Sequence, residues 1–158
     1  MQIGTDLAAF LTSPVMIIVG TCDRNGRPEI GRGVGARVDR DGGLVELVLS
    51  SWQWPGTAAN LRATGRAAVT FSRPGDYVSY QLKGRATAHA PDAQALSMAE
   101  GYMQETAKVL GGLGLQDTLG SQWLTYRDPV LIRIEVEAIY VQTPGARAGE
   151  PLDPQAAS

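Results

Sequence analysis

The chain has one cysteine, one histidine and two lysines in 158 residues. A single cysteine, Cys22, excludes an internal disulfide framework. With His89 as the sole imidazole, soft ligands are too few for a structural zinc site, and no metal is expected. Long hydrophobic runs are missing as well. The longest purely apolar stretches, Val15 to Val19 among them, are far short of the roughly 20 residues that span a membrane, so no membrane partner is expected. The segment Met1–Asp6 has no basic region; no signal peptide is expected, and a cytoplasmic location is. Neither sign of charge dominates. Fourteen basic residues against sixteen acidic give a net charge of −2, which argues against a nucleic-acid partner. Length and a hydrophobic content of 44% suit one soluble domain.

Glycine, by contrast, is plentiful: 19 residues of 158, against a usual ~7%. Charge is also unevenly spread. Asp23 to Arg85 holds nine arginines and one lysine against six acids, whereas Asp92 onward holds nine acids against four bases. A basic first half in an acidic chain suits a small anionic ligand better than a polyanion.

Val15 to Cys22 is an apolar, β-branched run bounded by Pro14 and by Asp23-Arg24-Asn25-Gly26, and Asn-Gly is the strongest short hairpin signal. A second extended stretch, Pro28 to Val38, ends at the turn Asp39 to Gly43, and a third strand, Leu44 to Ser50, is largely apolar on both faces. The three read as a meander. Trp52 to Pro55 reads as a loop and Gly56 to Thr64 as a short helix stopped by Gly65. Strands are predicted over Ala67–Phe71 and Tyr77–His89. A helix capped by Asp92 follows, with Leu96, Ala99, Met103 and Leu110 at helical offsets. A looser, helix-like segment, Gln116 to Tyr126, precedes a last strand, Pro129 to Gln142. Residues 143–158, rich in Pro, Ala and Gly, read as an extended or mobile tail. The fold class is therefore mainly β with α: about six antiparallel strands closing into a barrel plus helices, one domain over residues 1–142.

Gly31-Arg32-Gly33-Val34-Gly35-Ala36-Arg37 superficially matches a dinucleotide fingerprint. That motif needs strand, tight turn and helix; here the glycines alternate inside an extended stretch, and the Rossmann reading fails. Glycine at period two strips one strand face of side chains. Two readings stay open: tight packing against another element, or a bare platform for a planar ligand with Arg32 and Arg37 holding its anionic tail. Five apart, these arginines point to opposite faces of a regular strand, and a bulge is needed to bring both to one ligand.

At these residues the chain resembles the FMN-binding split-barrel family related to pyridoxamine 5′-phosphate oxidase. The resemblance covers most of Val15 to Val141. It rests on strand order, on the turn Asn25-Gly26-Arg27-Pro28, and on the R-x-V-x-x-[KR] strand from Arg32 to Arg37. It rests further on the hydroxyl pair Ser50-Ser51 and on the short helix carrying Asn60-Leu61-Arg62. It implies a six-stranded antiparallel split β-barrel, FMN as cofactor, and a site at a homodimer interface. Carried over residue by residue, it nominates Arg32, Val34, Arg37, Ser50 and Ser51 for the cofactor. The family commonly places a serine and then a lysine before the short helix; Pro55 and Thr57 stand there instead. A phosphate so loses one charge-assisted contact, about 1.5–3 kcal/mol, which Thr57 and the helix N–H groups can partly replace. FMN binding is expected to be weakened, with deazaflavin, haem or no cofactor as alternatives. No match is found for the C-terminal tryptophan and arginine with which true pyridoxamine-phosphate oxidases complete their site, so that activity is not expected.

Other residues carry two readings each. Trp54, with Trp52, stacks on a cofactor or anchors a dimer. Lys83 shares a strand face with Gln81 and is either solvated or a phosphate contact. His89 is the one imidazole that can ligate haem, or an ordinary surface residue. Cys22 reads as a small buried apolar residue. No catalytic residue is assigned, and no nucleophile–histidine–acid set supports hydrolase chemistry. The expected function is a flavin-dependent oxidoreductase of unknown substrate, the alternative a non-catalytic binding module.

Overall fold

Alternation decides which strand face turns inward. In β1 (Met16–Cys22) every second side chain is buried, Ile17, Val19 and Thr21; β2 (Pro28–Asp39) buries Val34 to Ala36 in one run around its bulge, and β3 (Leu44–Ser50) is buried on both faces. After α2 (Pro55–Thr64) come β4 (Arg66–Ser72) and β5 (Ser79–His89), and after α3 (Ala93–Gly112) the last strand, β6 (Pro129–Val141); α1 (Thr5–Leu11) precedes them all. The structure, a computed structural model, describes residues 2–115 and 122–152. Every neighbouring pair of strands is antiparallel, and the six close a barrel in the order β1-β2-β3-β6-β5-β4. The chain is thus mainly β with α, as its pattern predicts. Val19, Leu47, Leu49, Phe71, Leu82 and Ile132 are fully buried in the core.

One irregularity shapes the site. Gly33 pairs with Leu49 and Ala36 with Leu47, so Val34 and Gly35 together oppose Val48. Gly35 has φ +86, a left-handed conformation that β-carbons resist. Because of this bulge, Arg32 and Arg37 both emerge on the outer face of the barrel.

The helices close the barrel and cover part of it. α2 buries Thr57, Ala58 and Leu61 and ends at Gly65. α3 begins as predicted, with the Asp92 side chain accepting the Ala95 N–H at 2.7 Å. Its buried face is Ala95, Ala99, Tyr102, Thr106 and Leu110, while Leu96 and Met103 are half-buried. The face is rotated because Tyr102 enters the core and its hydroxyl donates to the Val15 carbonyl at 2.6 Å.

Three expectations need correction. α1, absent from the sequence reading, packs Leu7, Ala8 and Leu11 inward; at seven residues, with Gly4 as its cap, it has no capping signature. The helix-like segment does not extend over residues 122–126, which are irregular; residues 116–121 lie outside the described ones. The expected tail turns back through Leu152: Gly149 N–H donates to Val141 O at 2.8 Å and Leu152 N–H to Ile139 O at 2.8 Å. The backbone of β6 offers these acceptors, and a Pro/Gly-rich segment bends readily to reach them.

Candidate functional site

The glycine stripe is a packing surface, not a platform. A β-carbon on Gly31 would stand 2.8 Å from Thr57 Oγ1, and one on Gly33 2.8 Å from Ile17 Cγ2. At Gly35 it would meet Met98 and Tyr102 of α3 at 3.2–3.3 Å. The protein's own atoms fill the space a planar ligand was expected to take. Val34 is also withdrawn, at 1% exposure.

Arg37 is already spoken for. Opposite it on β3, the nearly buried Glu46 accepts hydrogen bonds from Arg37 Nε and from Arg133 Nε. The other nitrogens of Arg37 reach Asp92 at 3.0 Å and Gln94 at 3.1 Å. The hydrogen bonds to Asp92 and Glu46 raise the Arg37 pKa. Burial alone would push the Glu46 carboxyl up, but the hydrogen bonds from Arg37 and Arg133 outweigh it and hold the carboxyl below its usual range. Arg37 beside Asp92, helped by the Ala95 N–H, lowers that carboxyl too. A phosphate arriving at Arg37 meets two carboxylates, so its second expected cation is neutralised.

The other nominated residues divide. Ser50 is fully buried; its hydroxyl donates to Arg127 O at 2.7 Å and accepts the Gln53 N–H at 3.2 Å, which makes it a loop brace. The Ser51 hydroxyl donates to Asp128 O at 2.8 Å. Thr57 is fully buried, and its hydroxyl has no partner among the described residues; it faces Gly31 rather than a ligand space. Trp54 is half-buried against the core, so it braces the start of α2. Arg32 lies 4.4 Å from the Trp123 ring centre, and Lys83 lies 4.8 Å from that of Tyr140. Registers place Arg32, Ile18, Thr70 and Gln81 in one outer row. Arg32 and β5, which carries Lys83, are therefore three strand spacings apart, about 14 Å.

Side-chain-poor surface exists elsewhere. Gly20 pairs with Ala68, and Ala68 with Lys83, on the outer face. These residues floor a groove of about 510 Å³ bounded by Cys22, Pro28 and Ile30, with Lys83 at its wall. Cys22 is half-buried and lines this groove rather than the core. No single-strand pattern reveals this groove, because its floor comes from two strands distant in sequence. His89 is exposed, its Nε2 2.8 Å from Thr87 Oγ1. It stands six residues beyond Lys83, about 20 Å along the strand. No helix among the described residues is long and apolar enough to cross a membrane.

A closed six-stranded antiparallel barrel flanked by helices defines the class, and the family match agrees. The pyridoxamine 5′-phosphate oxidase family model matches residues 3–143, so the chain belongs to that family. No curated protein matches the chain significantly. Among solved structures it is similar to HupZ of Group A Streptococcus, at 19% identity and TM-score 0.58, covering 94% of this chain and 100% of that one. It is similar to HutZ, described as the heme storage protein from Vibrio cholerae, at 15% identity and TM-score 0.53, covering 89% and 95%. General Stress Protein 26 from Bacillus anthracis follows at 13% identity and TM-score 0.51, covering 91% and 92%. At such identities the likeness is one of fold.

Proposed function

We propose that the protein is a binding module of this family that receives a flat ring system on the outer face of β1 and β4 and relies little on a phosphate anchor. The observation that carries this reading is the contrast between two surfaces. The Gly20–Ala68 floor is open beside Lys83, whereas the glycine stripe is filled and Arg37 is paired with carboxylates. Such a site offers apolar contact and two cations, Lys83 and an Arg66 that is paired with Glu137, with Glu29 the one acid in its lining. A second copy of the chain supplies the cover: Ile30 is 63% exposed on this face.

Riboflavin is the first ligand to test. The likeness to HutZ, a heme storage protein, makes haem the second, although His89 is too far from the groove to ligate it there. Titration should show saturable riboflavin binding that Ala68→Trp and Lys83→Met both weaken at an unchanged melting temperature. Binding untouched by both changes would remove the groove.

The FMN-dependent oxidoreductase is the second reading, and Arg32 favours it. Its guanidinium rests on an indole and makes no ion pair with a described residue, so it remains a cation for a phosphate. Turnover of a reduced nicotinamide by reconstituted protein would establish that reading.

A further inference from the structure

The segment after β6, expected from the sequence to be a tail, contributes Arg147 and Leu152 to a second cleft. Its pairing with β6 carries Arg147 toward α1 and the β4–β5 hairpin. The cleft among these three has a volume of about 610 Å³ and is lined by Phe10, Val78, Tyr80 and Leu152 together with Arg73 and Arg147. It opens where Phe71 pairs with Tyr80, whereas the outer groove lies where Ala67 pairs with Gly84, at the other end of the same strands.

Three features suit this cleft to an aromatic anion. Phe10 and Tyr80 meet edge to face, with ring centres 5.1 Å apart at 85°, and the Arg73 guanidinium lies 5.5 Å from the Phe10 ring centre. Each arginine is held by an acid three residues on, Asp76 at 2.7 Å and Glu150 at 3.0 Å. Both pairs are well exposed; Arg147 has a single bond to Glu150 and is weakly held, whereas both Asp76 oxygens grip Arg73, so an incoming carboxylate takes over Arg147 first. Among the lining residues Asp6 is the one acid, but Asp76 and Glu150 already pair with the two arginines, so an anion binds here by exchange with a paired acid and not by a net positive charge. The hairpin is also preorganised. Tyr77 adopts φ 61, a left-handed conformation unusual for an aromatic residue. It is clamped by Tyr77 N–H to Arg73 O and Arg73 N–H to Val78 O, both 2.9 Å.

We propose that this cleft is a separate ligand site for a small planar aromatic molecule bearing one carboxylate or phosphate. The rings pack on Phe10 and Tyr80, and the anion bridges Arg73 and Arg147. Barrel mouths commonly lodge such ligands.

The test is calorimetric titration of the full chain with 2-naphthoate. Saturable one-to-one binding is expected, weakened about tenfold or more by Arg147→Met and by Arg73→Met, at an unchanged melting temperature. Lys83→Met, in the outer groove, should leave it unaltered. The proposal is overturned by an absence of saturable binding, by affinity that survives both arginine changes, or by loss of binding in Lys83→Met.

Discussion

Replacing Glu46 with glutamine tests the lock on Arg37. The residue is 8% exposed and accepts hydrogen bonds from two guanidinium groups. A hydrogen bond to a charged group contributes about 1.5–3 kcal/mol. The arginine side chains are 25% and 44% exposed, so solvent screens both bonds, and neutralising the carboxylate at constant shape costs about 2 kcal/mol in all. For a chain of this size each kcal/mol moves the melting temperature by about 2–4 °C. Glu46→Gln should therefore melt about 4–8 °C lower at pH 7. The Glu46 carboxyl is held below its usual range in the folded state. Its stabilisation is complete above the unfolded glutamate value, about 4.3, and is lost as pH falls through the lower folded value. Thermal melts followed by circular dichroism should show the two proteins converging below about pH 4. A variant as stable as the parent at pH 7, or a gap that persists undiminished at pH 3, would mean that no such lock exists.

Gly31→Ala drives a methyl group to 2.8 Å from the buried Thr57 hydroxyl and should destabilise by about 1–3 kcal/mol; a neutral change in denaturant midpoint would revive the platform reading. Tyr102→Phe removes the 2.6 Å bond to Val15 O and should cost about 1–3 kcal/mol in urea unfolding. Burial pushes the Tyr102 phenol up to about 12, so one tyrosine should ionise last in an ultraviolet titration. The stability linked to that phenol is intact below about pH 10 and declines as pH rises toward the folded value. Sedimentation should find a dimer that Ile30→Asp converts to monomer; a parent chain sedimenting as monomer would remove the second copy from the account.

Much of the barrel was legible because each strand is marked twice, by alternation or an apolar run and by a turn at its end. Leu44 to Ser50, apolar on both faces and preceded by Asp41-Gly42-Gly43, has the bounds its sequence predicts. The Asp92 cap was equally plain. The rotated face of α3 was not, because Tyr102 counts as amphipathic in a periodicity and only the Val15 carbonyl explains its burial. The candidate site was the least legible part. A glycine stripe looks the same in sequence whether a ligand or Thr57, Ile17 and Met98 fill the space above it. Likewise, the pairing of Arg37 with Glu46 depends on a cross-strand register that the bulge at Gly35 shifts. The groove floor joins Gly20 to Ala68, a contact that local patterns do not encode.

On the proposed reading, this chain's own carboxylates and packing occupy the places where a cofactor phosphate was expected, leaving the outer groove to hold a ring. The decisive quantity is the ratio of the dissociation constants of FMN and riboflavin, measured on the same protein at the same salt. Two values within about threefold of each other are expected, because, of the groove's two cations, Arg66 is paired with Glu137 and Lys83 is screened by solvent. FMN bound about a hundredfold more tightly than riboflavin, the effect of about 2.7 kcal/mol of charge-assisted phosphate contact, would overturn the reading.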